Sequence, residues 1–246
     1  MKSRRFSRWA AAVLLAGCLS ATGGALAQTD PVASAPPTSP ASPQAVLWDQ
    51  TNHNNGTYTS TSNYGPSLAA FASEAADDFQ VPGTVFWHIS TVTLIGQYVD
   101  GSTNSLESVL LQVYGDAGTG LPGTLIASQT FASGSIGGLS TGILVVTFAT
   151  PISVGPGHYW LGAQSKRVVT SGDQSQWVWN ESSQKLLSES AWQQPGNAYG
   201  TGCTTWKPRI TVCHRPSNST NPDLVFKLEG TSVPVVAQLF LPLVRR

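Results

Sequence analysis

Apolar and polar side chains alternate every second residue along several segments of this chain. In Val92–Tyr98, Val109–Val113 and Leu224–Glu229 apolar residues mark one face, and mostly polar side chains mark the other. Successive side chains of a β-strand point to opposite faces, so a period of two indicates half-buried strands. Tyr159–Gln164 and Gln176–Asn180 complete the set of strands that we predict from pattern and length.

A further segment, Ile143–Phe148, is almost continuously apolar and predicts a central strand covered on both faces. Clusters of Gly and Pro, such as Asp116–Gly123 and Gly134–Gly142, separate the segments and reverse the chain. Pro66–Glu74 predicts at most a short helical turn, and no long amphipathic helix is present in the sequence. These features predict an all-β protein, an antiparallel β-sandwich that is jelly-roll-like.

The N-terminal residues have the organisation of an export signal. A basic segment, Met1–Arg8, precedes an apolar stretch and small residues that end at Ala27, which predicts a signal peptide over residues 1–27. Leu15–Cys18 also resembles the lipobox of bacterial lipoproteins, so Cys18 is an alternative cleavage and lipidation site. We therefore predict an exported protein, either extracellular or at the cell surface.

Composition divides the rest of the chain into three parts. Residues 28–44 are rich in Pro and Ser and predict an extended linker. Residues 45–232 contain the predicted strands and form the β-sandwich domain. Residues 233–246 are a short apolar tail with two prolines, which either docks as a final strand or serves as a surface-targeting element.

Charge and hydropathy exclude several classes of protein. The chain has 13 basic and 13 acidic residues and is 41% apolar, which argues against a disordered protein and against a nucleic-acid partner. No apolar run reaches the roughly 18 to 20 residues that span a bilayer, so membrane contact is expected only through a lipid anchor or the tail. Removing the signal takes away four basic residues and leaves nine against thirteen acids, a mildly acidic mature chain.

Two cysteines, Cys203 and Cys213, remain after the signal is removed. An even pair in an exported chain predicts a disulfide. Closing so short a loop contributes about 2 to 3 kcal/mol in the chain-entropy account.

Five segments occur in order along the predicted domain: Ala75–Pro82, Ile89–Val92, Val113–Gly123, Pro156–Trp160 and Leu224–Gly230. Together they resemble the "choice-of-anchor" domains, a β-sandwich module of bacterial exported proteins found beside diverse surface-attachment signals. Phe240–Val244 similarly resembles a short F-L-P-L-V ending of exported proteins in some filamentous bacteria. The resemblance implies a surface location and brings no catalytic residues with it.

The sequence contains no convincing catalytic constellation. The four histidines are dispersed and lack the spacing of a metal site or a catalytic triad. We therefore predict that the protein is not an enzyme and has no cofactor other than a structural calcium.

Asp77, Asp78 and Asp116 are the calcium candidates, because this cation prefers carboxylate and carbonyl oxygens. The alternative is that such Asp residues cap turns.

Aromatic side chains concentrate near the C-terminal end of the domain, interleaved with Asn and Gln. The ligand-binding candidates are Trp177, Trp179, Trp192, Tyr199 and Trp206. Sugar C–H groups stack on aromatic rings while hydroxyls meet amides, so these residues predict a carbohydrate platform. Packing in the core is the alternative for each of them.

The function expected from the sequence is adhesion or carbohydrate binding by a non-catalytic cell-surface β-sandwich, with a polysaccharide or cell-wall glycan as partner. Two alternatives remain open, a secreted glycan-active hydrolase and a purely structural surface component. A hydrolase requires two carboxylates facing one cleft within about 10 Å.

Overall fold

The computed structural model describes residues 44–99, 106–167, 176–216 and 219–235. The predicted signal peptide with Cys18, the linker up to residue 43 and the tail from residue 236 lie outside these ranges. All described residues belong to one compact unit that begins at residue 41. Within the described ranges, no helix has the length and apolar character needed to span a membrane.

The described residues are organised mainly as β-strands. The strands are β1 (Ala45–Asp49), β2 (Asn54–Ser60), β3 (Ser62–Asn63), β4 (Glu74–Val81), β5 (Val85–Val99), β6 (Leu106–Asp116), β7 (Pro122–Ala132), β8 (Ile143–Val154), β9 (Gly157–Arg167), β10 (Gln176–Ser182), β11 (Ala191–Gln193), β12 (Lys207–Pro208), β13 (Asp223–Leu224) and β14 (Phe226–Pro234). Short 3-10 helices span Thr51–His53, Pro66–Phe71, Ser133–Ser135 and Leu139–Thr141. The second of these confirms the short turn predicted there.

The strands form two sheets. The first has the order β1-β14-β5-β10-β13, with β2 paired to β10 and β8 paired to β5. The second has the order β12-β11-β4-β9-β6-β7, with β3 paired in parallel to β9. The other strand pairs are antiparallel, which confirms the predicted all-β fold of two antiparallel sheets. The finer jelly-roll assignment stays a prediction.

The main core contains side chains of both sheets. On β4 and β9 the inward residues alternate with outward ones, so that Ala75, Phe79, Leu161 and Ala163 join this core. β14 runs two residues past the predicted end of the domain at Ser232, so the first residues of the tail continue a strand.

The prediction of a central strand at Ile143–Phe148 is wrong. β8 pairs with β5 alone among the strands described, and its other side carries an isolated bridge at Val145. Leu144 and Val146 are buried, whereas Ile143 keeps 38% of its surface exposed. The apolar run therefore belongs to a half-buried strand with one apolar face turned away from the core.

Residues 183–222 join β10 to β13, and we call them the connecting segment. It contains β11, β12 and the two cysteines, which form the predicted disulfide with their Cα atoms 5.9 Å apart. Both cysteines are buried, and they pack in the main core.

A fully buried ion pair attaches the connecting segment to the sandwich. Arg209 Nη1 donates to Glu181 Oε1 on β10 at 2.5 Å, and neither side chain is exposed to solvent. Arg209 also donates through Nε to Ser190 Oγ at 2.7 Å and to the backbone carbonyls of Arg215 and Asn221. Most N–H groups of the guanidinium therefore have an acceptor. A buried charge needs such hydrogen bonds, because it has lost its contacts with water.

Replacing Arg209 by Met tests this attachment. The substitution leaves the Glu181 carboxylate buried without its partner, so we expect Arg209→Met to lower the free energy of unfolding by about 3 to 5 kcal/mol. Urea denaturation followed by tryptophan fluorescence measures the change.

The matched control is Lys166→Met. Lys166 pairs with Glu107 at 2.6 Å, but both side chains are more than 40% exposed, so the expected loss is below about 1 kcal/mol. Equal, small losses for the two variants would contradict the structural role of the buried pair.

Candidate ligand-binding face of the second sheet

The structure contradicts the predicted platform at Trp177, Trp179 and Trp192. All three side chains are fully buried in the main core, with at most 1% of their surface exposed. Each indole N–H donates to a backbone carbonyl inside the protein, at 2.7, 2.8 and 3.0 Å respectively. Trp177 and Trp179 do share one strand face, but that face is directed inward, so core packing is the correct interpretation.

A glycine explains how Trp177 fits inside. Gly96 of β5 lies beside β10, and a Cβ atom at that position would stand 2.3 Å from a carbon of the Trp177 ring. The absence of a side chain lets the indole lie directly against the neighbouring backbone.

Tyr199 is half-buried and already has partners on its ring. The Arg215 guanidinium carbon lies 4.4 Å from the centroid of the ring, and Phe71 meets it edge-on at 5.5 Å. Burial raises the pKa of the Tyr199 hydroxyl to about 12. The cation–π contact occupies the surface that a sugar would need.

Trp206 is different, because it packs on the outer face of the second sheet. Its ring meets that of Tyr114 at 5.7 Å between centroids with an interplanar angle of 75°. Both rings belong to a small apolar cluster with Ala76, Trp160 and Ala191, separate from the main core. Alternation along β4, β6 and β9 accounts for this second cluster, since neighbours of inward residues point outward.

Glycine again makes room for a ring on this face. A Cβ atom at Gly162 of β9 would lie 3.0 Å from Cε2 of Tyr114. Tyr114 therefore lies across the adjacent strand and is only 7% exposed, whereas Trp206 is half-buried.

A carboxylate and an amide lie on the same outer face as the two rings. Gln193 of β11 lies opposite Glu74 of β4, and its Nε2 donates to Glu74 Oε2 at 2.8 Å. Burial raises the pKa of Glu74, and the Gln193 hydrogen bond opposes that rise. Burial, with the nearby Glu74 charge, raises the pKa of Tyr114. We call Glu74, Tyr114, Gln193 and Trp206 the outer cluster.

A second polar group on this face links Asp78 to Asp116. His158 Nε2 lies 2.7 Å from Asp78 Oδ2, and its Nδ1 lies 3.5 Å from Asp116 Oδ1. The Ser188 amide donates to Asp78 at 2.8 Å, and the Trp160 indole donates to Asp116 at 3.0 Å. Burial raises the pKa of Asp78, while its hydrogen bonds with Ser188 and His158 lower it. Sequence spacing did not indicate His158 as part of this group.

The third calcium candidate lies elsewhere. Asp77 points into the interior, where its Oδ2 accepts hydrogen bonds from Gln50 Nε2 and from the Leu224 amide, both at 2.6 Å. Asp116 Oδ2 accepts the Gly118 amide at 2.6 Å, which is the turn cap considered as the alternative. Over the described ranges, no group of three His, Cys, Asp or Glu side chains is arranged to hold a metal ion. Calcium at these positions remains a prediction that the geometry does not favour.

A cavity of about 350 Å³ lies beside β3 and the 3-10 helix Pro66–Phe71. Its lining residues are Asn63, Gly65, Pro66, Ala69, Ala72 and Lys166. The lining contains no aromatic ring, and the ammonium group of Lys166 is paired with Glu107. The cavity therefore has fewer features of a binding site than the outer cluster.

Sequence comparisons add no family to this description. No protein-family model matches the chain, and a search of curated proteins finds no significantly similar sequence. The class defined by the structure is an all-β sandwich with one disulfide in its connecting segment. The likeness to choice-of-anchor domains stays a resemblance of motifs.

Buried carboxylates below this face make stability depend on pH. Asp223 is 1% exposed, its Oδ2 accepts the Leu186 amide at 2.7 Å, and no described residue bonds to its Oδ1. Burial raises the pKa of Asp223 from 3.8 to about 7, and Asp78 adds repulsion. Burial and the charge of Asp223 also raise the pKa of Asp77.

The expected consequence is a loss of stability between about pH 4 and pH 7. In that window the folded protein retains a proton that the unfolded Asp223 releases, so the free energy of unfolding falls as pH rises, by up to about 1.4 kcal/mol per pH unit. Asp223→Asn keeps an acceptor for Leu186 without a charge and should flatten the decline. Urea denaturation at a series of pH values measures it.

Asp49→Asn, at an exposed position of β1, controls for the loss of one negative charge. An Asp223→Asn profile as steep as that of the wild type would show that this carboxyl is not the source of the decline.

Proposed function

We propose that this protein is a non-catalytic, exported β-sandwich of the cell surface that binds carbohydrate through the outer cluster. The observation that carries the proposal is the half-buried Trp206 indole, which lies beside the Tyr114 ring and within one surface region with the Glu74–Gln193 pair. Aromatic rings stack on sugar C–H groups, and the amide and carboxylate bond to hydroxyls.

The contact between the two rings suits this role. An edge-on contact at 75° leaves one face of the Trp206 ring uncovered by Tyr114. Tyr114 in turn is held by the backbone at Gly162, so the supporting ring is fixed before a ligand arrives. A prearranged surface loses less entropy on binding than one that must be ordered.

The expected location rests on separate observations. The N-terminal export pattern and the disulfide between Cys203 and Cys213 both suit an oxidising, extracellular compartment. Attachment to the cell surface would use either lipidated Cys18 or the C-terminal tail.

The hydrolase alternative has one observation in its favour, since Asp78 and Asp116 approach each other on one face through His158. Both carboxylates, however, already accept N–H groups of the protein, and Asp78 is only 1% exposed. A glycosidase needs one carboxyl group to protonate the leaving oxygen and the other to act on the sugar. Binding without hydrolysis is therefore the better supported function.

Affinity electrophoresis of residues 28–246 tests the proposal. We expect gels containing a soluble polysaccharide, drawn from xylan, hydroxyethylcellulose and partly deacetylated chitin, to retard the protein. Trp206→Ala should weaken the interaction at least about tenfold, because the stacking contact and its apolar area are both lost.

Trp48→Ala is the matched control, since Trp48 is a half-buried tryptophan on the first sheet. It should leave the retardation unchanged. Retardation by none of the polysaccharides, or equal retardation of Trp206→Ala and wild type, would contradict the proposed function.

A further inference from the structure

We infer, on the basis of the proposed function, that the carbohydrate is an amino-sugar polymer with free amines, and that Glu74 binds the protonated amine beside Tyr114 and Trp206. The placement of Glu74 and of both aromatic rings on one face of the second sheet carries this inference.

Glu74 is an acidic side chain that is partly removed from water. Its side chain is half-buried, and one carboxylate oxygen accepts the neutral Gln193 amide at 2.8 Å. Among the residues that the structure describes, no basic side chain forms an ion pair with Glu74. The Glu74 carboxyl is thus partly desolvated and has no basic partner among the described residues, and burial raises its pKa.

A neutral and a cationic ligand differ in how they affect Glu74. A neutral sugar stacked on Trp206 would remove more water from the Glu74 carboxylate, which no described basic side chain compensates, and this is unfavourable. An ammonium group supplies the missing charge. The ammonium group is attracted as well by the negative face of the partly exposed Trp206 ring, so the carboxylate and the ring both favour a cation.

Other charged groups lie near the outer cluster. Asp78 and Asp116 lie on the same outer face of the sheet, next to His158, and add negative potential there. Lys207 pairs across the strands with Trp192, whose side chain points to the core side of the sheet, so it belongs to the opposite side. A ligand that carries several amines along its length matches this distribution of charge.

The experiment compares oligosaccharides of chitosan with fully N-acetylated chitin oligosaccharides of the same length. Isothermal titration at about pH 6 measures both affinities. We expect the wild type to bind the chitosan oligosaccharide at least about tenfold more tightly, and Glu74→Gln to remove most of that preference.

Glu107→Gln is the matched control, because Glu107 is an exposed carboxylate on β6 of the same sheet. It should leave the preference intact. Near-ultraviolet circular dichroism confirms that each variant is folded, and Glu74→Gln preserves the size of the side chain.

Several outcomes would overturn the inference. Equal binding of the two oligosaccharides by the wild type, an undiminished preference in Glu74→Gln, or an equal loss in Glu107→Gln would each do so while leaving carbohydrate binding in place. Tighter binding of oligolysine than of chitosan would assign the site to a basic peptide instead. Failure to bind chitosan overturns the inference, and the retardation of the protein by xylan or hydroxyethylcellulose then tells whether the proposed function survives.

Discussion

The buried ion pair between Arg209 and Glu181 is the interaction on which the rest of the structure depends. Neither charge is exposed to solvent, so inside the protein each is compensated by the other. Arg209 lies three residues after Trp206, and β10 holds Glu181 in the first sheet. The pair therefore fixes the connecting segment, and with it the position of Trp206 over the second sheet. The disulfide then closes the same segment around Arg209.

Each face of the second sheet carries a cluster of apolar side chains. The inner one belongs to the core, and the outer one contributes Tyr114 and Trp206 to the candidate site. Asp77 and Asp78 are neighbours on β4, yet one is bonded in the interior and the other to His158 on the outer face. The inner face packs against the first sheet. The outer face carries the smaller cluster in which Trp206 contacts Tyr114, and the proposed binding site lies where packing leaves the Trp206 ring partly exposed.

Alternation in the sequence predicted where most strands lie, because a period of two is a local property. It could not predict which face points inward, since Trp suits a core and a ligand platform equally. Trp177 was misassigned for that reason, although Gly96 and Gly162 are glycines within strand patterns and mark where a neighbouring ring lies close. The link between Asp78 and His158 needs the pairing of β4 with β9, which no local pattern contains.

The central claim is that ligand binds at Trp206 and not at the buried tryptophans, and the indole N–H signals of a ¹⁵N-labelled sample test it directly. Titration with a polysaccharide fragment that retards the protein should shift the Trp206 indole signal. The signals of Trp177, Trp179 and Trp192, whose N–H groups are bonded inside the core, should stay in place. An unmoved Trp206 signal in the presence of bound ligand would contradict the account.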